Sequence, residues 1–169
     1  MVNARPRDDH NIDRAPERIL LFAFSLDGVR MALPLDAVGM ALPACAHVPL
    51  PGAPAAVAGA INLRGEAVAV LDLRTRLRMP ARMPEAGDYF VTVRVRERMV
   101  ALVATDIEGA IEVSTDDIAR FPPHACSDHP GRGLLALADG LLLIEDPSAF
   151  LAPEEMQALA SALDALHGH

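Results

Sequence analysis

The chain of 169 residues contains no lysine and no tryptophan, so its formal positive charge rests on 15 arginines. Without lysine, three catalytic devices are unavailable: the phosphate-binding lysine of a P-loop, a Schiff-base lysine, and the phosphate-pairing lysine of a protein kinase. Cysteine is scarce as well. Cys45 and Cys126 do not amount to a disulfide framework, and both read as small buried hydrophobes. Long apolar runs are missing: Ile19–Phe24, Leu134–Leu137 and Leu141–Ile144 fall far short of the roughly 20 residues that span a bilayer. No direct membrane insertion is expected. Met1–Arg18 mixes charges with prolines and holds no apolar stretch of the signal-peptide kind, so the expected location is the cytoplasm.

Acid outweighs base, with a net charge of −8, and the imbalance is uneven along the chain. Residues 64–98 carry eight arginines against five acids, whereas residues 99–169 carry twelve acids against two arginines. An acidic chain gains little from counterion release on a phosphate backbone, which excludes nucleic acid as the expected partner. The arginine-rich middle favours an acidic protein partner, or is simply a solvated face.

The apolar positions that are present fall into short strands. Ile19–Leu26 and Val29–Leu33 flank Asp27-Gly28, a pair suited to a hairpin turn whose two central residues need positive φ. Leu134–Leu137 and Leu141–Ile144 flank a second Asp-Gly at Asp139-Gly140, and Tyr89–Val95 and Met99–Val103 flank the polar Arg96-Glu97-Arg98. Glu66–Leu71 and Gly109–Val113 read as further strands. Pro34–Val38 and Ser114–Ile118 read as single helical turns, the second opening with a hydroxyl followed by acids. Many short strands with proline and glycine punctuation predict an all-β barrel or sandwich. Residues 1–18 read as a mobile tail, 19–152 as the folded domain, and 153–166 as a C-terminal amphipathic helix packed on it. In that helix Pro153 suits the first position, and Met156, Leu159, Leu163 and Leu166 share a face.

Four segments follow one another in a fixed order: Pro34-Leu35-Asp36-Ala37-Val38, Pro51-Gly52-Ala53-Pro54, Gly59-Ala60-Ile61-Asn62-Leu63-Arg64-Gly65, and Val70-Leu71-Asp72-Leu73-Arg74. This series closely resembles the CheW-like family of chemotaxis coupling proteins over about residues 19–151. The resemblance implies a fold of two interlocked five-stranded barrels of SH3-like kind. It implies a non-enzymatic adapter that binds the regulatory domain of a CheA-like histidine kinase and the cytoplasmic tip of chemoreceptors, recruited to membrane-associated receptor arrays. No cofactor is implied. By matching positions, the receptor-binding residues are Val38, Arg64, Tyr89 and Ile107, with Asn62, Gly65, Pro51 and Pro54 supporting the interface. The chain departs from the family pattern after Val38, where Gly39-Met40-Ala41 stands in place of a common acidic residue, and before Ile107, where Ala104-Thr105-Asp106 stands. These departures fit a specialised array partner. A non-flagellar array governing twitching, surface sensing or second-messenger output is one alternative, and a metal- or ligand-binding β-barrel is another.

Each of these residues also has a local role. Gly65 can supply positive φ in a tight turn, Asn62 can bond its backbone, and Asp72 and Arg74 can pair. A guanidinium on a rigid turn, as at Arg64, suits a partner contact better than a core. No nucleophile-elbow, dinucleotide-binding or zincin motif occurs. His124, Cys126 and His129, with Cys45 and His47 distant in sequence, are the closest approach to a metal set, and no metal is expected there. Glu145-Asp146, read as strand neighbours, would point to opposite faces and form no acid–base pair.

Overall fold

The computed structural model describes residues 17–120 and 133–168. The expected tail and the His124, Cys126 and His129 group lie outside the described residues, apart from Glu17 and Arg18. Asp27 and Gly28 take φ of 48° and 87°, closing the turn between β1 (Arg18–Leu26) and β2 (Val29–Pro34). A single 3-10 turn, Leu35–Ala37, then carries the chain into a second sheet. That sheet is built from β3 (Val38–Pro43), β4 (Val57–Leu63), β5 (Glu66–Leu71), β6 (Tyr89–Val95) and β7 (Arg98–Ala104), in the order β3-β6-β7-β5-β4. The chain then returns to the first sheet as β8 (Asp106–Ser114), β9 (Ile118–Arg120), β10 (Gly133–Leu137) and β11 (Gly140–Ile144), giving the order β8-β1-β2-β11-β10-β9.

The two sheets therefore interlock, one continuous segment forming the second inside the two halves of the first. The first sheet has six strands where five were expected. The extra strand arises because β8 and β9 are separated only by a 3-10 turn at Thr115–Asp117, across which the chain passes from one edge of the sheet to the other. Ser114 caps this turn by accepting the Asp116 N–H at 3.3 Å. In the second sheet the edges meet through an isolated bridge. Five residues past the end of β3, Val48 exchanges both backbone hydrogen bonds with Ala60 of β4, at 2.9 and 2.8 Å.

The run Ile19–Phe24 is apolar without alternation because β1 is covered on both faces from Leu21 onward, Leu20 alone of the run staying exposed. Leu21 and Ala23 enter a small core with Ala32, Val113, Leu135 and Leu142. Phe24 and Leu26, with Met31 and Leu33 of β2, enter the large core that the second sheet supplies through Phe90, Val91 and Leu102. The β1–β2 hairpin is thus the wall shared by both cores. α1 (Pro153–His167) buries Leu159, Ala162 and Leu163 against the large core. Leu166, expected on the same stripe, is instead 37 % exposed. Among the described residues no helix is long and apolar enough to cross a membrane. Glu145-Asp146 lies past the end of β11 rather than on it, and Asp146 caps the 3-10 turn Pro147–Ala149 by accepting the Ser148 N–H at 3.0 Å.

Candidate interaction site

Arg64 and Gly65 form the two-residue turn between β4 and β5, with φ of 52° and 86°. Positive φ at both positions matches the right-handed twist of the flanking strands. Asn62 fixes the turn, its side-chain oxygen accepting the Gly65 N–H at 2.8 Å. Arg64 is exposed and holds no carboxylate among the described residues. A shallow groove of about 410 Å³ runs beside the turn, lined by Val48, Ala60, Asn62 and Gly65 on one side and by Leu166 and His167 of α1 on the other. The Pro51–Pro54 loop holds a second tight turn. Pro51 and Gly52 are its central residues, Gly52 has φ of 84°, and the Ala53 N–H reaches Leu50 O at 3.2 Å. Pro54 closes the loop by accepting the Val57 N–H at 2.9 Å.

Val38, Tyr89 and Ile107 are half-buried and pack against the large core. None of the three lines the groove beside the Arg64 turn. Val38 opens β3 opposite Val93, while Tyr89 opens β6 opposite Pro43. Four residue steps along β6 therefore separate them, about 13 Å. Tyr89 also stands opposite Ala104, the last residue of β7, and Ile107 follows three residues later beside Phe24. Tyr89 and Ile107 thus share the seam where the chain leaves the second sheet for the first. The stretch after Val38 has its own explanation. β3 slips register between Val38 and Ala41, and Thr92 fills the slip, accepting the Met40 N–H at 2.8 Å and donating to Met40 O at 3.3 Å. A Cβ at position 39 would stand 2.6 Å from Thr92 Oγ1, so Gly39 is dictated by packing.

The ionic cluster at the seam escaped sequence reasoning. Arg74, 1 % exposed, bonds Asp27 of the β1–β2 turn at 2.6 and 3.2 Å and Asp72 at 2.9 Å. Arg82 grips Asp88 through two bonds of 2.7 and 2.8 Å and lies 3.6 Å from Asp27. The Asp72–Arg74 pair was readable from spacing. Its extension to Asp27, 47 residues away, had no sequence signal beyond two ordinary charges. Cys45, expected to be buried, carries a free thiol on the surface. It lies in the extended segment between β3 and the Val48 bridge, which covers no core at that position. Among the described residues no three His, Cys, Asp or Glu side chains converge on one point.

The hydrogen bond from Arg74 holds the Asp27 carboxyl below its ordinary range despite desolvation, and the bidentate Arg82 does the same for Asp88. A carboxyl depressed in the folded chain supplies stability that is complete above its unfolded value, near 3.8, and is lost as pH falls through the lower folded value. Thermal midpoints are therefore expected to hold from pH 7 to about pH 5 and to fall steeply below about pH 4. Asp27→Asn is expected to flatten that fall. An equally steep fall in the variant would show that the pair contributes nothing to the acid limb.

Residues 20–155 match the family model described as the CheW-like domain. The chain is 33% identical over 113 residues to the chemotaxis protein CheW of Rhizobium meliloti, covering 65% of this chain and 72% of that protein. It is 28% identical over 120 residues to the chemotaxis protein CheW of Treponema pallidum, covering 67% and 70%. The scaffolding protein TtCheW of Thermoanaerobacter tengcongensis has the same fold, with a TM-score of 0.71 at 19% identity over 82% of this chain and 96% of that one. The interlocked sheets, the ordered motifs and these matches place the chain in the CheW-like family.

Proposed function

We propose that this protein is a non-enzymatic cytoplasmic adapter that couples chemoreceptors to a CheA-like histidine kinase. One surface engages the regulatory domain of the kinase and another engages the cytoplasmic tip of a receptor. Bridging the two raises their effective concentration and sets their orientation, with no chemistry by the adapter itself. The observation that carries this reading is Arg64. It projects from a turn locked by Asn62 and carries an unneutralised guanidinium on a rigid element, the arrangement expected of a binding anchor. Tyr89 and Ile107 at the seam, and Val38 at the start of β3, add half-buried apolar surface for a helical partner. Pro51, Pro54, Asn62 and Gly65 keep the neighbouring loops stiff.

Calorimetry of the purified protein against the regulatory domain of the kinase from the same organism is expected to show saturable binding. Arg64→Ala is expected to weaken binding to a receptor-tip fragment at least tenfold, equivalent to about 1.4 kcal/mol, with the melting midpoint unchanged. Absence of binding to both partners would overturn the adapter reading.

A further inference from the structure

The long edge of the first sheet is β8, whose outer side meets no strand among the described residues. Its register shows which backbone groups face outward. Arg18 stands opposite Ser114, Leu20 opposite Glu112 and Phe22 opposite Ala110, and the Thr115 N–H donates to Glu17 O at 2.9 Å. Along an antiparallel pair, bonded and non-bonded positions alternate. Counting from the Thr115–Glu17 bond, Val113, Ile111 and Gly109 turn their N–H and C=O toward β1, whereas Ser114, Glu112 and Ala110 turn theirs away. The β1–β2 hairpin fixes the same parity independently. Leu26 and Val29 close its two-residue turn as a bonded pair, so Phe24 and Phe22 face β2, and Leu21 and Ala23 face β8.

Ala110 and Glu112 are both exposed. Edge strands are commonly blunted by proline, lysine, unpaired charge or a bulge. β8 contains neither proline nor lysine. Its glutamates carry little free charge, since Glu112 is held by Arg18 at 2.6 Å and Glu108 by Arg30 at 2.6 and 2.9 Å. The bulge opposite Ala23 and Phe24, beside Gly109 at φ 96°, interrupts only the Asp106 end of the strand. Ala110–Ser114 remains as regular edge, up to the 3-10 turn at Thr115–Asp117.

We propose that this edge pairs with the same edge of a second copy of the chain, antiparallel and centred on Ile111. A twofold contact needs a self-complementary strand, and the side chains of β8 select one register. Centring on Glu112 sets the two Glu112 carboxylates opposite each other, and centring on Ala110 sets Glu112 opposite Glu108, both unfavourable. Centring on Val113 puts Ala110 opposite Asp116, which lies in the 3-10 turn. Centring on Ile111 sets Glu112 of each copy opposite Ala110 of the other. Ile111, half-buried against the small core, then meets its own counterpart at the closely spaced, non-bonded position. Each Ala110–Glu112 pair exchanges two bonds, about four in all. So small an interface gives a weak dimer, populated at high concentration. It lies in the first sheet, apart from Arg64 in the second, and does not rest on the adapter reading.

The test is amide hydrogen exchange of the full chain at about 10 μM and about 1 mM, with sedimentation equilibrium over the same range. A reversible dimer is expected. The Ala110 and Glu112 amides are expected to exchange at least several-fold more slowly at the higher concentration, while Ile111 and Val113 stay protected at both. Ala110→Pro removes an outward donor and no bond to β1, so it is expected to weaken the dimer at least tenfold with the fold retained. Ala110→Glu, which opposes Glu112 of the second copy, is expected to weaken it, and Ala110→Arg, which pairs with that carboxylate, to tighten it. These two variants keep the register testable if circular dichroism shows that the proline variant loses its fold. A monomer at every concentration, or a dimer indifferent to all three substitutions, would overturn the proposal. So would Ala110 and Glu112 amides already protected at the lower concentration, because another part of the chain would then cover the edge. Protection that appears only on adding the kinase regulatory domain would assign the edge to that partner and overturn it equally.

Discussion

Arg74→Ala is expected to destabilise the fold by about 3–5 kcal/mol, the range found when one partner of a buried ion pair is removed. At this chain length each kcal/mol shifts the thermal midpoint by roughly 2–4 °C, so a loss of about 10 °C is anticipated. The reason is geometric. Arg74 is 1 % exposed and is the common partner of Asp27, from the first sheet, and Asp72, which follows β5 of the second. Its own backbone N–H also donates to Asp72 at 3.0 Å. With alanine in its place the buried Asp72 carboxylate loses its cation, and the Asp27 carboxylate is left with Arg82 at 3.6 Å. Arg74→Lys retains the charge but cannot span both carboxylates with a planar fork, so an intermediate loss is expected. A double-mutant cycle with Asp27→Asn isolates the contact between the sheets, and a coupling of at least about 1 kcal/mol is expected between touching residues. Urea unfolding of the four proteins makes the measurement. A loss below about 1 kcal/mol for Arg74→Ala would mean that the seam is held by apolar packing alone.

Gly59→Val is expected to cost about 1–3 kcal/mol or more, the range for forcing extra carbons into a packed site. A Cβ at position 59 would stand 2.4 Å from Val48 O and 2.9 Å from His47 Cδ2. The first of these atoms is backbone and already accepts the Ala60 N–H at 2.8 Å, so it cannot move without breaking the bridge that joins the edges of the second sheet. Hydrogen exchange at Val48 and Ala60 reads the effect directly. Loss of protection at both amides, with the amides of β6 and β7 still protected, is the anticipated pattern. Unchanged exchange and unchanged stability would show that the segment before Val48 yields at no cost.

Hairpins were legible because their determinants are local. Asp27-Gly28 carries both the turn conformation and the apolar flanks that define register. Asp139-Gly140 joins β10 to β11 by a different turn, in which Gly140 has φ of 144° and Asp139 is not among the positive-φ residues. The partition into two sheets was not legible from residue patterns. It depends on the parallel pairs β2–β11 and β5–β7, whose members are far apart in sequence and alike in composition. The resemblance supplied the interlocked arrangement, though not the sixth strand created at Thr115–Asp117. At the candidate site, the Asn62–Gly65 bond follows from residue types three positions apart, as does the Asp72–Arg74 pair at two. Arg64's left-handed backbone carries no such signal, since arginine is rare in that conformation. Gly39 reads as a departure from a family pattern until Thr92, 53 positions later, is seen against it.

The nesting of one sheet inside the other also sets an order of events. Every strand of the second sheet lies between Val38 and Ala104, so this unit is complete in the chain before β8 is synthesised. β1 and β2 emerge first but receive their outer neighbours, β8 and β11, last. At synthesis rates of about 5–20 residues per second, both flanks of the first hairpin stay unpaired on the ribosome for seconds. Leu20, 54 % exposed even in the finished fold, lies on one of those waiting strands. Unpaired strand edges invite pairing with other chains. The first-made hairpin is therefore the point at which a nascent chain of this protein is most exposed to misassociation, and its last-made strands provide the protection.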